Sequence, residues 1–339
     1  MKMSLNPRLL WADSLKGWLM LLVILGHAIQ TVMPETCYQN HIWNLIYSFH
    51  MPAFMAVSGY FAYRANRYGG KFLCSRRFRQ LMIPYIVWSI INFLVTGDYS
   101  WEKVKMVIFY PQNSFWFLWV LFFINIIFIF CQWLADKFRK DELVILIPFG
   151  ILLLSIMVGV DLRILGYQYI AYYFLFYTLG YCVHRYPKLQ IGNEFLLGCL
   201  FFVWAVMAWF WNMHELPEWM PDISYIPNSL LQNIYRGTTA LLAILFLMGI
   251  SPKILNRISS LNKGIKEVGV ISLGYYTCHS TIIVYVVNLL QLIFPGVCDG
   301  VLIGMNFVLC VSLTLVIVEL LTRIQQASAK LRNVFVKAL

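Results

Sequence analysis

Long runs of apolar residues, each about long enough to cross a lipid bilayer as an α-helix, divide this sequence. One crossing needs about 20 mostly apolar residues. Hydrophobic residues make up 60% of the 339-residue chain and charged residues only 12%, whereas a soluble domain averages about 25% charged residues. An outer-membrane barrel would instead show alternating segments of about ten residues. We therefore predict an all-α, polytopic membrane protein with about ten transmembrane helices. The predicted spans lie near 16–33, 42–63, 80–96, 113–134, 143–160, 168–184, 195–212, 229–249, 268–292 and 300–322.

The distribution of basic residues predicts the orientation of these spans. Of the 26 Lys and Arg residues, 21 lie at the two termini or in every second connection, and only three lie in the intervening connections. Cytoplasmic loops are enriched in Lys and Arg. We therefore predict that both termini are cytoplasmic, in a multi-pass protein of the cell (inner) membrane. The connections are short and no repeat is visible, which predicts a single domain over residues 1–339.

The net charge of +11 is explained by this topology together with contacts to anionic membrane lipid, so we expect no nucleic-acid partner. The eight cysteines form no CxxC pair and no Cys/His set with zinc spacing, and we therefore predict no metal site. Cys37 and Cys298 both lie in predicted external loops. Whether they pair as a disulfide is left open by the sequence.

Ionisable residues within the predicted spans are the first candidates for function, because charge in the hydrocarbon region is costly. In the first span, Lys16 and His27 are eleven residues apart, which places both on one helix face with a rise of about 16 Å between them. Asp13 precedes Lys16 by one turn on nearly the same face. Lys16 also has a simpler interpretation, as a basic helix end reaching the membrane surface.

His27, His50 and Arg236 lie at comparable predicted depths, about 9–12 Å from the outer ends of three different spans. A shared polar chamber would accommodate all three. Pro52 should interrupt the helix just after His50, and Gly59 should allow another helix to approach closely. Two further ionisable residues fit structural roles better than functional ones. They are His279, in the middle of its span, and Glu319, near the inner end of the last span.

The predicted cytoplasmic loop 64–79 contains six basic residues. Topology and anionic lipid would explain them. The alternative interpretation is a funnel for a phosphate-bearing cofactor that arrives from the cytoplasm. The chain has neither a Walker loop nor a GxGxxG motif, so ATP or NAD binding in those modes has no support. The basic residues next to the following span are Arg76, Arg77 and Arg79.

Several motifs together resemble the acyltransferase family 3 membrane proteins, and more narrowly their fucose-4-O-acetylase-like branch. The first motif is a basic residue followed after ten residues by His, here Lys16 and His27. The second is F-H-M-P at 49–52 with S-G-Y-F at 58–61. Supporting matches are the Arg-rich loop before I-P-Y at 83–85, W-F-L at 116–118 and I-S-L-G-Y-Y-x-x-H at 271–279. The resemblance covers nearly the whole chain, although many members have Arg where this chain has Lys16.

The resemblance implies transfer of an acyl group, usually acetyl from cytoplasmic acetyl-CoA, to a hydroxyl of an envelope polysaccharide or lipid-linked sugar. It implies that His27 acts as a general base or a transient acyl carrier. His50 or Arg236 would orient His27 or stabilise the thioester oxyanion. The residues expected to hold the CoA donor, by its phosphates or by positioning those that do, are Lys16, Asp13, Arg76, Arg77 and Arg79.

Three points stay open at this stage. The acyl group could be succinyl rather than acetyl, the acceptor is not specified, and homo-oligomerisation is undetermined. A second class of function is a transporter or flippase of glycan intermediates, since such proteins also place ionisable residues within the membrane. No inverted repeat is visible to support it. A third class is a scaffold in an envelope assembly complex, in which the polar residues only join helices.

Overall fold

The computed structural model describes residues 9–62, 70–97, 100–159, 164–220, 228–257 and 263–338. Within these ranges the chain forms fourteen α-helices and no β-strand, which confirms the all-α class. The helices are α1 (Leu10–Val32), α2 (His41–Tyr47), α3 (His50–Tyr60), α4 (Gly70–Arg77), α5 (Ile83–Thr96), α6 (Trp101–Phe109), α7 (Trp116–Phe138), α8 (Leu143–Gly159), α9 (Tyr167–Arg185), α10 (Glu194–Trp209), α11 (Asn228–Arg257), α12 (Lys263–Val270), α13 (Ser272–Ile293) and α14 (Asp299–Ala338). A π-helix, Phe78–Met82, joins α4 to α5.

Six helical stretches in the described residues are long and apolar enough to cross a membrane. They are Leu10–Val32, Gly70–Thr96, Trp116–Phe138, Asn228–Arg257, Ser272–Ile293 and Asp299–Ile324. Two further apolar helical stretches are shorter, Leu143–Ser155 and Glu194–Trp209. The protein is therefore a polytopic membrane protein, with six rather than ten of the predicted spans meeting these criteria. The difference arises because several of the apolar runs form helices shorter than a full bilayer crossing.

The predicted span 42–63 is divided into two helices, but the break falls at residues 48–49, before His50 rather than just after it. Helix α2 ends at Tyr47 and α3 begins at His50. Pro52 is the third residue of α3, in the first turn, where a missing backbone N–H is tolerated. Because Pro52 has no N–H to donate to the carbonyl of Ser48, the helical ladder does not continue from α2 into α3. The interruption leaves His50 at the first position of a new helix.

The described helices cluster in two compact units. The first comprises the residues up to His50, Trp211–His214 and the residues from Ser251 onward, and the second comprises Met51–Phe210 with Glu215–Ile250. The first unit therefore contains α1, α2 and α12–α14, and the second contains α4–α10 together with α3 from Met51 onward and α11 up to Ile250. The single domain expected from the sequence stays a prediction.

In the first unit, α12 packs against α1 through two glycines. A Cβ atom at Gly17 would lie 1.9 Å from the carbonyl oxygen of Ile265, and one at Gly269 would lie 1.7 Å from the carbonyl oxygen of Asp13. Only glycine allows two helix backbones to approach this closely. The α12 backbone is thereby held directly against the α1 residues that flank Lys16.

In the second unit, α3 and α9 make the same kind of contact. A Cβ at Gly59 would lie 1.9 Å from the carbonyl oxygen of Tyr177, and one at Gly180 would lie 1.8 Å from that of Ala56. The predicted close approach at Gly59 is confirmed. Nearby, the Tyr177 hydroxyl donates to Asn125 Oδ1 (3.0 Å), and Asn125 Nδ2 donates to the carbonyl of Leu121 (2.7 Å). The polar atoms of this buried Asn–Tyr pair are thus satisfied within the unit.

A charged cluster ties the start of α8 to the end of α9 in the second unit. Arg185 Nη2 lies 2.9 Å from Asp141 Oδ2, and Arg185 Nη1 pairs with Glu142, which also accepts a hydrogen bond from the Tyr181 hydroxyl. The backbone N–H of Leu143, and then the Arg185 guanidinium, hold the pKa of Asp141 below its ordinary value. This cluster closes one end of the α8–α9 pair.

Two minor questions from the sequence have direct answers. Glu319 pairs with Arg323 one turn later on α14, at 2.9 Å, which agrees with the expected structural role. Cys37 is buried and Cys298 is exposed, and both are free thiols in this structure.

Candidate active site

One end of α1 carries an ion pair. Lys16 Nζ lies 2.7 Å from Asp13 Oδ1, and the two side chains are 26% and 10% exposed. The pairing follows from their i, i+3 spacing, which places them as neighbours on the helix surface. Asp13 is also held by the backbone contact between α1 and α12. Lys16 is therefore held by its ion pair with Asp13, while about a quarter of its side chain stays exposed.

His27, eleven residues further along α1, lies beside a second histidine. The rings of His27 and His279 are 5.3 Å apart between centroids and inclined by 43°. His279 belongs to α13, and its side chain is only 1% exposed. The sequence favoured a structural role for His279, but the structure places it next to the main candidate for catalysis.

Backbone contacts define which nitrogen carries the proton in two of the histidines. His50 Nδ1 lies 2.7 Å from the carbonyl oxygen of Ile46, and His279 Nδ1 lies 2.8 Å from that of Tyr275. A carbonyl oxygen can only accept, so Nδ1 must donate in both contacts. In the neutral imidazole, Nε2 then retains its lone pair and is the basic nitrogen. His279 Nε2 is buried and has no hydrogen-bond partner among the described residues.

Tyr47 connects His50 to the helix that carries His27. Its ring lies 4.8 Å from the His50 ring, and its hydroxyl donates to Gln30 Oε1 (3.2 Å), one turn beyond His27. The ring rests against Gly26, where an added Cβ would lie 2.8 Å from Tyr47 Cε2. The residue before His27 must therefore be small for α2 to bring Tyr47 and His50 against α1. His27 and His50, both predicted site residues, thus belong to one packed region of the first unit.

Helix α14 reaches the same part of α1. Asn306 Nδ2 donates to Thr31 Oγ1 (3.1 Å), and Thr31 Oγ1 donates to the carbonyl of His27 (2.9 Å). Asn306 is fully buried, and its Oδ1 has no hydrogen-bond partner among the described residues. The side of His27 away from Lys16 is therefore rich in polar groups, contributed by α1, α2 and α14.

The remaining predicted site residues belong to the second unit. Arg236 is half-buried on α11 and interacts electrostatically with the Tyr172 hydroxyl of α9. Arg77 is half-buried and lines a small cavity with Asn125 and Tyr177. The other two basic residues of this segment, Arg76 and Arg79, are exposed. The convergence of Arg236 with His27 and His50, and the role of the three arginines in binding the donor, stay predictions.

Several polar side chains near His27 were not singled out by the sequence as site residues: His279, Gln30, Tyr47 and Asn306. For His279 a signal existed, since the I-S-L-G-Y-Y-x-x-H motif ends on it. For the other three, only the packing of α2 and α14 on α1 reveals their position. Within the described residues, no group of three His, Cys, Asp or Glu side chains is arranged to hold a metal ion.

The fold and the site together define an α-helical, polytopic membrane protein with basic histidine nitrogens buried in its interior, a set suited to proton transfer or acyl transfer. A comparison with protein families gives the same class. The acyltransferase 3 family, described as an acyltransferase domain, matches residues 9–323. The chain belongs to this family.

Among curated proteins, the chain is similar to two bacterial relatives named Nodulation protein NolL. One is from Sinorhizobium fredii (strain NBRC 101917 / NGR234), with 30% identity over 132 residues. The other is from Mesorhizobium japonicum (strain LMG 29417 / CECT 9101 / MAFF 303099), with 31% identity over 136 residues. Each match covers 34% of this chain and 34% of the relative, so it spans about a third of the length of these curated proteins. No solved structure matches.

Proposed function

We propose that this protein is an integral-membrane O-acyltransferase that moves an acyl group, acetyl in the first instance, from cytoplasmic acyl-CoA to a hydroxyl of an envelope polysaccharide or lipid-linked sugar. The observation that carries the proposal is the contact of His27 with the buried His279, on a helix (α1) whose other end holds the Lys16–Asp13 ion pair. Membership of the acyltransferase 3 family supports it.

The donor binds, in this proposal, along α1. CoA carries its phosphates at one end and its thioester at the end of a long flexible arm. Lys16 offers a charge for a phosphate, and His27 lies about 16 Å further along the helix. The exposed and half-buried arginines 76, 77 and 79 would add phosphate contacts. An extended arm would then present the thioester carbonyl to the histidines.

His27 takes the proton from the acceptor hydroxyl in the direct form of the reaction. The acceptor oxygen attacks the thioester carbonyl carbon, a C–O bond forms, and the C–S bond then breaks. The proton held by His27 is passed to the departing thiolate, which leaves as CoA–SH. The products are an ester and free CoA, so no further reactant is needed. In the second form, His27 itself carries the acyl group before the acceptor takes it.

His279 and His50 assist His27 in this proposal. Their Nδ1–H groups are fixed on backbone carbonyls, which leaves each Nε2 available to exchange a proton with a neighbour. His279 is the nearer candidate, since its ring is 5.3 Å from that of His27. Arg236 would stabilise the oxyanion formed on the thioester carbonyl.

Release of free CoA tests the proposal directly. The purified protein in detergent is given acetyl-CoA, with and without a lipid extract of the source cells that contains their lipid-linked glycans. We expect CoA release that the extract accelerates, together with a new ester on the glycan detected by mass spectrometry. If glycan instead moved across reconstituted vesicles and no thioester was consumed, the protein would be a transporter.

Substitution of Lys16 should weaken donor binding. A charge-assisted hydrogen bond contributes about 1.5–3 kcal/mol, so Lys16→Ala should raise the KM for acetyl-CoA about tenfold or more, with a smaller effect on kcat. Lys16→Arg retains the charge and should keep most of the affinity. Lys263→Ala, at an exposed lysine of α12, is the matched control. An unchanged KM in Lys16→Ala would remove this residue from the donor site.

A further inference from the structure

On the side of His27 away from Lys16, the contacts between helices leave some buried polar groups without a partner among the described residues. Polar atoms that only join helices satisfy one another, as Tyr177 and Asn125 do at 3.0 Å in the second unit. Near His27, His279 Nε2 has no partner among the described residues, and neither do two more buried polar atoms of the helices packed there, the acceptor Asn306 Oδ1 on α14 and the donor Trp43 Nε1 on α2.

These two atoms are deeply buried, so water does not satisfy them at a surface. Asn306 is 0% exposed and Trp43 is 1% exposed. Leaving a buried polar atom unpaired costs about 1–3 kcal/mol, a cost that a bound ligand with matching groups would remove. One atom requires a donor and the other an acceptor, and a hydroxyl group supplies both.

Aromatic rings lie beside these atoms. Trp43 stacks on Tyr47 with 3.8 Å between ring centroids and an 18° angle between ring planes, and the Tyr47 ring touches that of His50. The Tyr47 hydroxyl donates to Gln30, one turn beyond His27 on α1. A region with aromatic rings, a side-chain amide and unpaired donor and acceptor atoms is suited to a polyhydroxylated ring such as a sugar.

The position of these polar and aromatic residues along α1 fits the acceptor, the second substrate of the proposed reaction. Lys16 and the ion pair occupy one end of the helix, and Gln30, Thr31, Tyr47 and Asn306 lie at or beyond the level of His27. The donor and the acceptor cannot occupy the same space, and both must reach His27. The side of His27 away from Lys16 is therefore the side assigned to the acceptor hydroxyl.

We infer that Gln30, Trp43, Tyr47 and Asn306 form the subsite for the acceptor sugar, on the side of His27 away from Lys16. The inference rests on the proposed acyltransferase function and deepens it by naming the residues that bind the acceptor. The sugar hydroxyl to be acylated donates to Asn306 Oδ1 or to His27, and a neighbouring hydroxyl accepts from Trp43 Nε1.

Conservative variants test the subsite. Trp43→Phe keeps a ring but removes the indole N–H, Tyr47→Phe removes only the hydroxyl, and Asn306→Leu removes both amide atoms at similar volume. Each is expressed in source cells that lack the native gene, and total ester-linked acyl groups on the envelope glycan are measured by mass spectrometry. The affinity of each purified variant for acetyl-CoA is measured by calorimetry. Tyr285→Phe, at an exposed tyrosine of α13, is the control.

We expect glycan acylation to fall about tenfold in each single variant and further in Trp43→Phe combined with Asn306→Leu, while acetyl-CoA affinity changes less than twofold. Wild-type levels of acylation in all three variants would overturn the subsite. Bound water would then be the partner of these polar groups. Equal losses of acylation and of acetyl-CoA affinity would also overturn it, since the residues would then only maintain the fold. Failure of the proposed function is distinct, because the wild type itself would then neither consume acetyl-CoA nor acylate glycan.

Discussion

Replacement of His27 by Gln should lower the rate of CoA release by a factor of about 10² to 10⁴, the contribution typical of a general base. Gln retains a similar size and can hydrogen-bond, but it cannot take a proton from the acceptor hydroxyl. His27→Ala should show the same loss and also leave a cavity beside His279. The KM for acetyl-CoA should change little, because the donor phosphates are expected near Lys16 at the other end of α1.

Activity assays on matched histidine variants make this prediction specific. His41, exposed at the start of α2, is the control, and His41→Gln should retain wild-type activity. The activity of His279→Gln should lie between those of His27→Gln and His41→Gln. If His27→Gln released CoA within threefold of the wild-type rate, His27 would be neither the base nor the acyl carrier. An equal loss in His27→Gln and His41→Gln would point to a general defect in the protein.

The same variant distinguishes the two forms of the reaction. Protein incubated with radiolabelled acetyl-CoA in the absence of acceptor is quenched rapidly and separated from free label. Label that remains on the wild type and is missing from His27→Gln would establish an acyl-histidine. If no label is retained while turnover still depends on His27, the transfer is direct.

The apolar runs of the sequence predicted the helices because the bilayer leaves the backbone few alternatives. A segment in lipid must satisfy its own N–H and C=O groups, so a long apolar run implies a helix. A break near Pro52 was also predictable, since Pro52 has no N–H for the ladder, but its position before His50 was not. The number of crossings was less certain, because several apolar runs form helices shorter than about 20 residues.

The histidine pair shows why the site was only partly predictable. Lys16 and His27 share one helix, so their face and separation follow from helix geometry alone. Contact between His27 and His279 depends instead on how α13 packs against α1. Hydropathy does not encode that packing, because it depends on where small residues allow close approach. Tyr47 reaches α1 for the same kind of reason, through Gly26.

The convergence of Arg236 with the two histidines stays a prediction, because it rests on depth estimates alone. Equal distances from the ends of three spans suggested a shared chamber for His27, His50 and Arg236, and the structure brings the two histidines into one packed region. Arg236 belongs to the second unit, where it interacts with Tyr172. A residue's depth in its own helix says nothing about the direction in which its side chain points, so a common depth is weak support for convergence.

Substitution of Gly17 by Ala should be strongly destabilising, because the added Cβ would lie 1.9 Å from the carbonyl oxygen of Ile265. Backbone atoms cannot move aside as a flexible side chain can, so α12 must separate from α1. Overpacking of this kind costs about 1–3 kcal/mol or more. Gly269→Ala should have the same effect, since its Cβ would meet the carbonyl oxygen of Asp13 at 1.7 Å.

Gly264, five residues before Gly269 on the same helix, offers a control with the opposite sign. A Cβ there meets no atom within 4 Å, so Gly264→Ala should leave the stability of α12 unchanged or raise it slightly through helix propensity. Thermal unfolding in detergent should therefore give a lower Tm for Gly17→Ala and Gly269→Ala and an equal or higher Tm for Gly264→Ala. Equal Tm values for all three would mean that α12 does not pack on α1 through these glycines. Because that packing also holds the backbone at Asp13, the two destabilised variants should bind acetyl-CoA more weakly even at temperatures where they remain folded.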